Sequence, residues 1–227
     1  ASFFFFFKKY LEEPSIAYGF ARTADLKKIL EEVSGQNLTN FFKQWYNGEG
    51  YPTYHVQWSD FGSSSVQIKV NQITSDPSVS FFEMPVPLKF KNASQEKTII
   101  FDHTMNGEFF TRYIGFKPDT VLVDPEYWLI SKNNTTAKTT FVNTGNPSVE
   151  VYPNPMQDPV TVFLQNFSRG NANMTLYNDA GQLIHKQNII LVNGGEIIQL
   201  NVRNLSRGVY ILKITAGDFT YTKKLLR

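Results

Sequence analysis

Hydrophobic positions along this chain recur at two periods, and the change of period divides it. After Thr23, the apolar residues Leu26, Ile29, Leu30 and Val33 fall at i, i+3, i+4 and i+7, one stripe of a helix. Thr23 is expected to cap that helix, its hydroxyl accepting a free N–H of the first turn, and Asp25 suits the positive end of the helix dipole. Gly35 supplies a left-handed stop. Behind a cap at Asn37, the residues Leu38, Phe41, Phe42 and Trp45 repeat the stripe until Gly48, Gly50 and Pro52 end it. Phe3 to Glu13 reads as a further helix that stops ahead of Pro14. Residues 1–50 are therefore predicted to be helical.

From residue 51 the period becomes two. Tyr54, Val56 and Trp58 share a face, as do Val66, Ile68 and Val70, then Val86, Leu88 and Phe90, then Ile99 and Phe101, then Val121 and Val123. Strands at this spacing with no helices between them predict an antiparallel sandwich over 51–132. Residues 133–147, opening Asn133-Asn134-Thr135-Thr136, have too little apolar surface for a core and read as a linker. Alternation resumes over 148–227 with Val160, Val162 and Leu164, and with Met174 and Leu176. Asn178-Asp179-Ala180-Gly181 and Gly194-Gly195 are expected to be hairpin turns. Val209 to Ile214, apolar on both faces, predicts an inner strand, and Phe219 to Leu225 a last one. The fold class is mainly β: a short helical segment followed by two immunoglobulin-like sandwiches.

Composition narrows the function. Aromatic residues make up 15% of the chain, with 20 Phe and 11 Tyr, which suits strand-rich cores. The net charge of +2, from 22 basic and 20 acidic residues, creates no field that would select nucleic acid. There is no cysteine, so there is no disulfide, thiol nucleophile or thiolate zinc site. No run reaches the roughly 18 apolar residues of a membrane span. Phe3 to Phe7 lack the basic leader of a signal peptide and would form an uncovered apolar patch, so the expectation is a C-terminal piece of a larger protein.

Two ordered sets of motifs then resemble known families. Arg22-Thr23-Ala24-Asp25-Leu26, Val33-Ser34-Gly35-Gln36-Asn37-Leu38, Phe41-Phe42-Lys43-Gln44-Trp45 and Gly50-Tyr51-Pro52 resemble the end of the catalytic domain of M1-family, aminopeptidase N-like enzymes. The resemblance continues through Phe82-Glu83-Met84-Pro85-Val86-Pro87-Leu88, Val123-Asp124-Pro125 and Trp128-Leu129. It implies that 1–50 closes a thermolysin-like domain and that 51–132 is the immunoglobulin-like domain behind it. The last zone resembles the type IX (Por) secretion C-terminal domain of Bacteroidetes. The residues that carry this are Val151-Tyr152-Pro153-Asn154-Pro155, Leu176-Tyr177-Asn178-Asp179-Ala180-Gly181, Leu205-Ser206-Arg207-Gly208-Val209-Tyr210 and Lys223-Lys224-Leu225-Leu226-Arg227. It implies that 148–227 is a sorting domain read by an outer-membrane translocon. Its signal residues would be Tyr152, Pro153, Asn154, Pro155, Gly181, Gly208, Val209, Tyr210, Lys223, Lys224 and Arg227, and the chain would be secreted or surface-bound.

The M1 reaction needs two histidines one helical turn apart, a distal Glu holding zinc, and a Glu beside the first His to activate water. The chain has only His55, His103 and His185, far apart and without a His-Glu-x-x-His. Zinc and peptide substrates are therefore expected of the parent protein, and this chain has no catalytic, cofactor or metal residues of its own. Asp102-His103 has no accompanying nucleophile motif and reads as a turn pair; Glu12-Glu13 and Glu31-Glu32 read as solvated helix faces. Trp45, Trp58 and Trp128 could stack on sugars, although periodicity favours core packing for the first two.

The reading is the C-terminal fragment of a secreted M1-like aminopeptidase. Its expected partners are the type IX machinery and the rest of the parent catalytic domain. The alternative is a non-enzymatic adhesion or glycan-binding module. From the missing ligand set, the isolated chain is expected to hold no stoichiometric zinc and to cleave no aminoacyl-nitroanilide. Metal analysis finding one tightly held zinc per chain overturns this.

Overall fold

The computed structural model describes residues 2–141, 145–191 and 194–227. Its helices are α1 (Ser2–Glu12), α2 (Thr23–Ser34) and α3 (Thr39–Trp45). The strands are β1 (Pro52–Phe61), β2 (Ser65–Thr74), β3 (Met84–Lys91), β4 (Glu96–His103), β5 (Glu108–Tyr113), β6 (Thr120–Val123) and β7 (Thr135–Lys138), then β8 (Ser148–Tyr152), β9 (Val160–Gln165), β10 (Gly170–Asn178), β11 (Leu183–Leu191), β12 (Glu196–Leu200), β13 (Val209–Ala216) and β14 (Phe219–Leu226).

The helical stripe of α2 buries Ile29, with Leu26, Leu30 and Val33 half-covered around it, and α1 packs alongside. Gly35 ends the helix at φ +68°, its N–H donating to Glu31 O at 2.8 Å. Thr23 does not cap. Its hydroxyl is spent on Tyr46 Oη at 2.9 Å, and the Asp25 carboxylate accepts the Arg22 N–H instead, at 2.8 Å. Asn37 sits one residue ahead of the cap position, which Leu38 holds, and its side chain accepts the Thr39 N–H at 2.9 Å. Phe41 turns outward while Phe42 is buried, because a helix of two turns has room for only a narrow inner face.

Two sandwiches follow. In the first, the sheet β5-β2-β1-β7 faces β4-β3-β6. Tyr54, Val56, Trp58, Val66, Ile68 and Val70 from one sheet meet Val86, Leu88, Phe90, Phe101 and Val121 from the other, all buried. In the second, β11-β10-β13-β14 faces β12-β9-β8 around Val160, Val162, Leu164, Met174, Leu176, Leu212, Ile214 and Leu225. β13 is an inner strand, as its two-faced apolar sequence predicts.

Three expectations change. The sheets are not wholly antiparallel, because β7 runs parallel to β1. The stretch 133–147 is not bare linker: its start is the edge strand β7, held by polar hooks. Asn134 Oδ1 accepts the Tyr54 N–H at 3.0 Å, His55 Nδ1 meets Thr135 Oγ1 at 2.8 Å, and the Lys138 ammonium reaches Asp60 and lies 4.6 Å from the Trp58 ring centre. Val142, Asn143 and Thr144, in the same stretch, lie outside the described residues. Finally, Gly194-Gly195 is a crossover and not a hairpin, since β11 pairs with β10 whereas β12 pairs with β9 in the facing sheet.

A candidate sorting surface at one end of the last sandwich

The strand register gathers the four C-terminal sequence blocks at one end of the second sandwich. Asn178 ends β10 opposite Tyr210, and Tyr210 sits opposite Leu225 near the end of β14. The Asn178–Gly181 turn therefore lies beside the start of β13 and the chain terminus. It is the hairpin turn its sequence predicts: Gly181 takes φ +76°, its N–H donates to Asn178 O at 3.0 Å, and the Asn178 side chain accepts the Gln182 N–H at 2.8 Å. Gly208 has an unremarkable backbone and open space around it. It exchanges two backbone hydrogen bonds with Arg227, at 2.9 and 3.1 Å, which fixes the last residue against the start of β13.

β14 is an edge strand, and it pairs inward with β13 through Tyr210–Leu225 and Gly208–Arg227. Alternation in an antiparallel ladder then points the N–H and C=O groups of Lys224 and Leu226 outward. The segment after β8 covers them. Asn154 Nδ2 donates to Lys224 O at 3.1 Å, and Asn154 Oδ1 accepts the Leu226 N–H at 2.9 Å. One carboxamide thus imitates the residue of a neighbouring strand. The Met156 N–H adds a bond to Leu226 O at 2.6 Å. Pro153 and Pro155 flank Asn154 and carry no N–H of their own, so this segment can clasp the edge without continuing as a paired strand.

The terminal cations are mostly committed within the fold. Lys223 lies on the inward face of β14 and donates across the sandwich to Val151 O at 3.0 Å. The Arg227 guanidinium donates to Met156 O at 3.3 Å and Arg203 O at 3.4 Å. Tyr210 is buried, and its hydroxyl donates to Ser206 O at 2.9 Å. Lys224 and Tyr152 instead present exposed side chains at this end. Removal of Lys223 to Arg227 is thus no simple loss of a tag. It takes away the fully buried Leu225 and the Lys224 and Leu226 groups that the Asn154 amide bonds.

The histidines stay apart. His55 is tied to β7, His185 lies on β11, and His103 is fully buried with Nε2 3.2 Å from Val70 O. Burial lowers the His103 pKa, so its ring is neutral at neutral pH. Asp102 is exposed on the opposite face of β4, so the pair forms no dyad. Among the described residues, no three His, Asp or Glu side chains come together as a metal site. Trp58 is core and Trp45 packs 4.5 Å from Phe82, whereas Trp128 is exposed beside Tyr127. The Trp128 loop is stapled by buried Asp124, whose carboxylate accepts the Trp128 and Leu129 N–H groups at 2.9 and 2.8 Å. Sequence reasoning missed a second buried acid, Glu196; its signal is a lone carboxylate between Gly194-Gly195 and the apolar pair Ile197-Ile198.

Residues 150–226 match the family profile of the secretion system C-terminal sorting domain. The last sandwich is therefore a sorting domain, which directs the chain to the cell surface or into the medium. No curated protein matches the chain. Among solved structures, the crystal structure of dimeric latent PorU from Porphyromonas gingivalis is similar at 12% identity and a TM-score of 0.30, over 74% of this chain. The chain spans 12% of that protein's length. No helix among the described residues is long and apolar enough to cross a membrane.

Asn154→Ala removes both amide bonds from the edge of β14. It is expected to lower the stability of this sandwich by about 1–3 kcal/mol, two modest hydrogen bonds together. The measurement is the shift of the denaturant midpoint at unchanged slope; an unshifted midpoint means the clasp contributes nothing.

Proposed function

We propose that this chain is the C-terminal part of an exported zinc aminopeptidase of the M1 type, and that the far end of its last sandwich is the surface read by the type IX machinery. The observation that carries the export reading is the convergence of the four sequence blocks on the clasped end of β14. Of the residues proposed as the signal, Pro153, Asn154, Pro155, Gly181, Gly208, Val209, Tyr210, Lys223 and Arg227 build and hold that end. Tyr152 and Lys224 present their side chains to a receptor. Beyond the clasp, Thr220 and Thr222 leave a length of β14 edge on which an added strand could pair.

The peptidase reading is supported by the order of the motifs from Arg22 to Leu129. It is also supported by how α3 seats on the first sandwich: Gln44 accepts the Glu83 N–H at 2.9 Å, and Trp45 packs on Phe82. In this reading residues 1–50 end the catalytic domain, 51–132 brace it, 133–147 join, and 148–227 sort. The rest of the parent catalytic domain would cover the exposed phenylalanines of α1, and peptides would be the parent's substrates. Catalytic zinc would lie upstream. Exposed Tyr127 and Trp128 favour a second reading, a surface module that binds glycan through its first sandwich. The coding sequence before Ala1 separates the two: a His-Glu-x-x-His followed by a downstream Glu is expected, and its absence rejects the peptidase.

For export, the whole chain behind an ordinary Sec leader is expressed in a host that has a type IX system. Surface delivery is expected, with retention in the periplasm once 148–227 is removed and reduced delivery for Lys224→Glu. Equal delivery with and without 148–227 overturns the address.

A further inference from the structure

The two sandwiches meet at a built contact. The turn between β1 and β2, Phe61-Gly62-Ser63-Ser64-Ser65, points at the start of β12. Glu196, the first residue of β12, is only 4% exposed, and its carboxylate accepts the Ser63 N–H at 2.7 Å. Its other oxygen accepts the Ile197 N–H at 3.2 Å. Gly62 sits at φ +66°, and a Cβ there would collide with that carboxylate. From the other side, a Cβ on Gly195 would collide with the Phe61 ring and with Leu164 O. The Phe61 ring, 1% exposed, packs edge-to-face on Phe163 of β9 with centroids 5.7 Å apart. A turn of this shape, with backbone N–H groups around a positive-φ glycine, is a small anion receptor. Its occupant here is a side chain of the other sandwich.

We propose that Glu196, held by the backbone N–H groups of the β1–β2 turn, is a latch that docks the sorting sandwich rigidly on the one before it. The device does not depend on what the parent protein does. Two glycines at close approach and one buried acid serve no purpose if the two bodies are merely strung together.

Burial and the N–H groups of Ser63, Ile197 and Ser64 act on the Glu196 carboxylate in opposite directions, and burial prevails, raising its pKa.

The chain has no cysteine, so Thr98→Cys on β4 and Lys213→Cys on β13, both exposed positions, place two spin labels uniquely on the full chain. Electron–electron resonance is expected to give one narrow distance distribution. Glu196→Gln, which keeps a side-chain oxygen for the Ser63 N–H, should stay narrow. Glu196→Ala and Gly62→Val, which act from opposite sides of the contact, should broaden it several-fold while circular dichroism shows both sandwiches folded. A broad distribution in the labelled parent, or a narrow one untouched by both Glu196→Ala and Gly62→Val, overturns the latch.

Discussion

The outer edge of β14 is the constraint from which the organisation of the sorting sandwich follows. This strand closes the core with Leu225, yet it is also the last strand of its sheet and the last of the chain. An uncovered edge invites pairing with whatever chain comes near. Here the cover comes from a segment 72 positions earlier, through one asparagine amide and one backbone N–H. The start and end of the sandwich are therefore interdependent, and blocks far apart in sequence have to meet at one place. Lys223 reinforces the arrangement by bonding from one sheet to the edge strand of the other.

Much of this was legible in the sequence where one face of a strand is buried and the other wet. Tyr54, Val56 and Trp58 alternate because the pleat puts all three against the facing sheet, and the same holds for Val160, Val162 and Leu164. β7 was invisible because its attachment is polar: asparagine, threonine and lysine hooks produce no hydrophobic period. Gly194-Gly195 was misread because turn residues announce a change of direction without saying which sheet receives the next strand. Thr23 was misread because a tertiary partner, Tyr46, claimed its hydroxyl.

The candidate site was legible as motifs but not as geometry. Sequence order named the residues, and only the register shows that the Gly181 turn, the Gly208 pairing and the Asn154 clasp share one end. In the sequence the terminal cations are read only as part of the signal. In the fold, two of the three donate to backbone carbonyls, so their charge is joined to architecture. Within that segment the side chains separate by strand face: odd positions from Phe219 to Leu225 turn inward, and Thr220, Thr222 and Lys224 turn out.

The parallel pairing of β7 with β1 has a mechanical meaning. The first sandwich is entered through the start of β1 and left through the end of β7, and these points lie at opposite ends of one ladder. Tension along the chain would load that ladder lengthwise, so its hydrogen bonds must yield together and cannot unzip singly. Any tension along the chain would pass through this joint. The His55–Thr135 bond and the Lys138–Asp60 ion pair sit along it, as cross-ties resisting the slide.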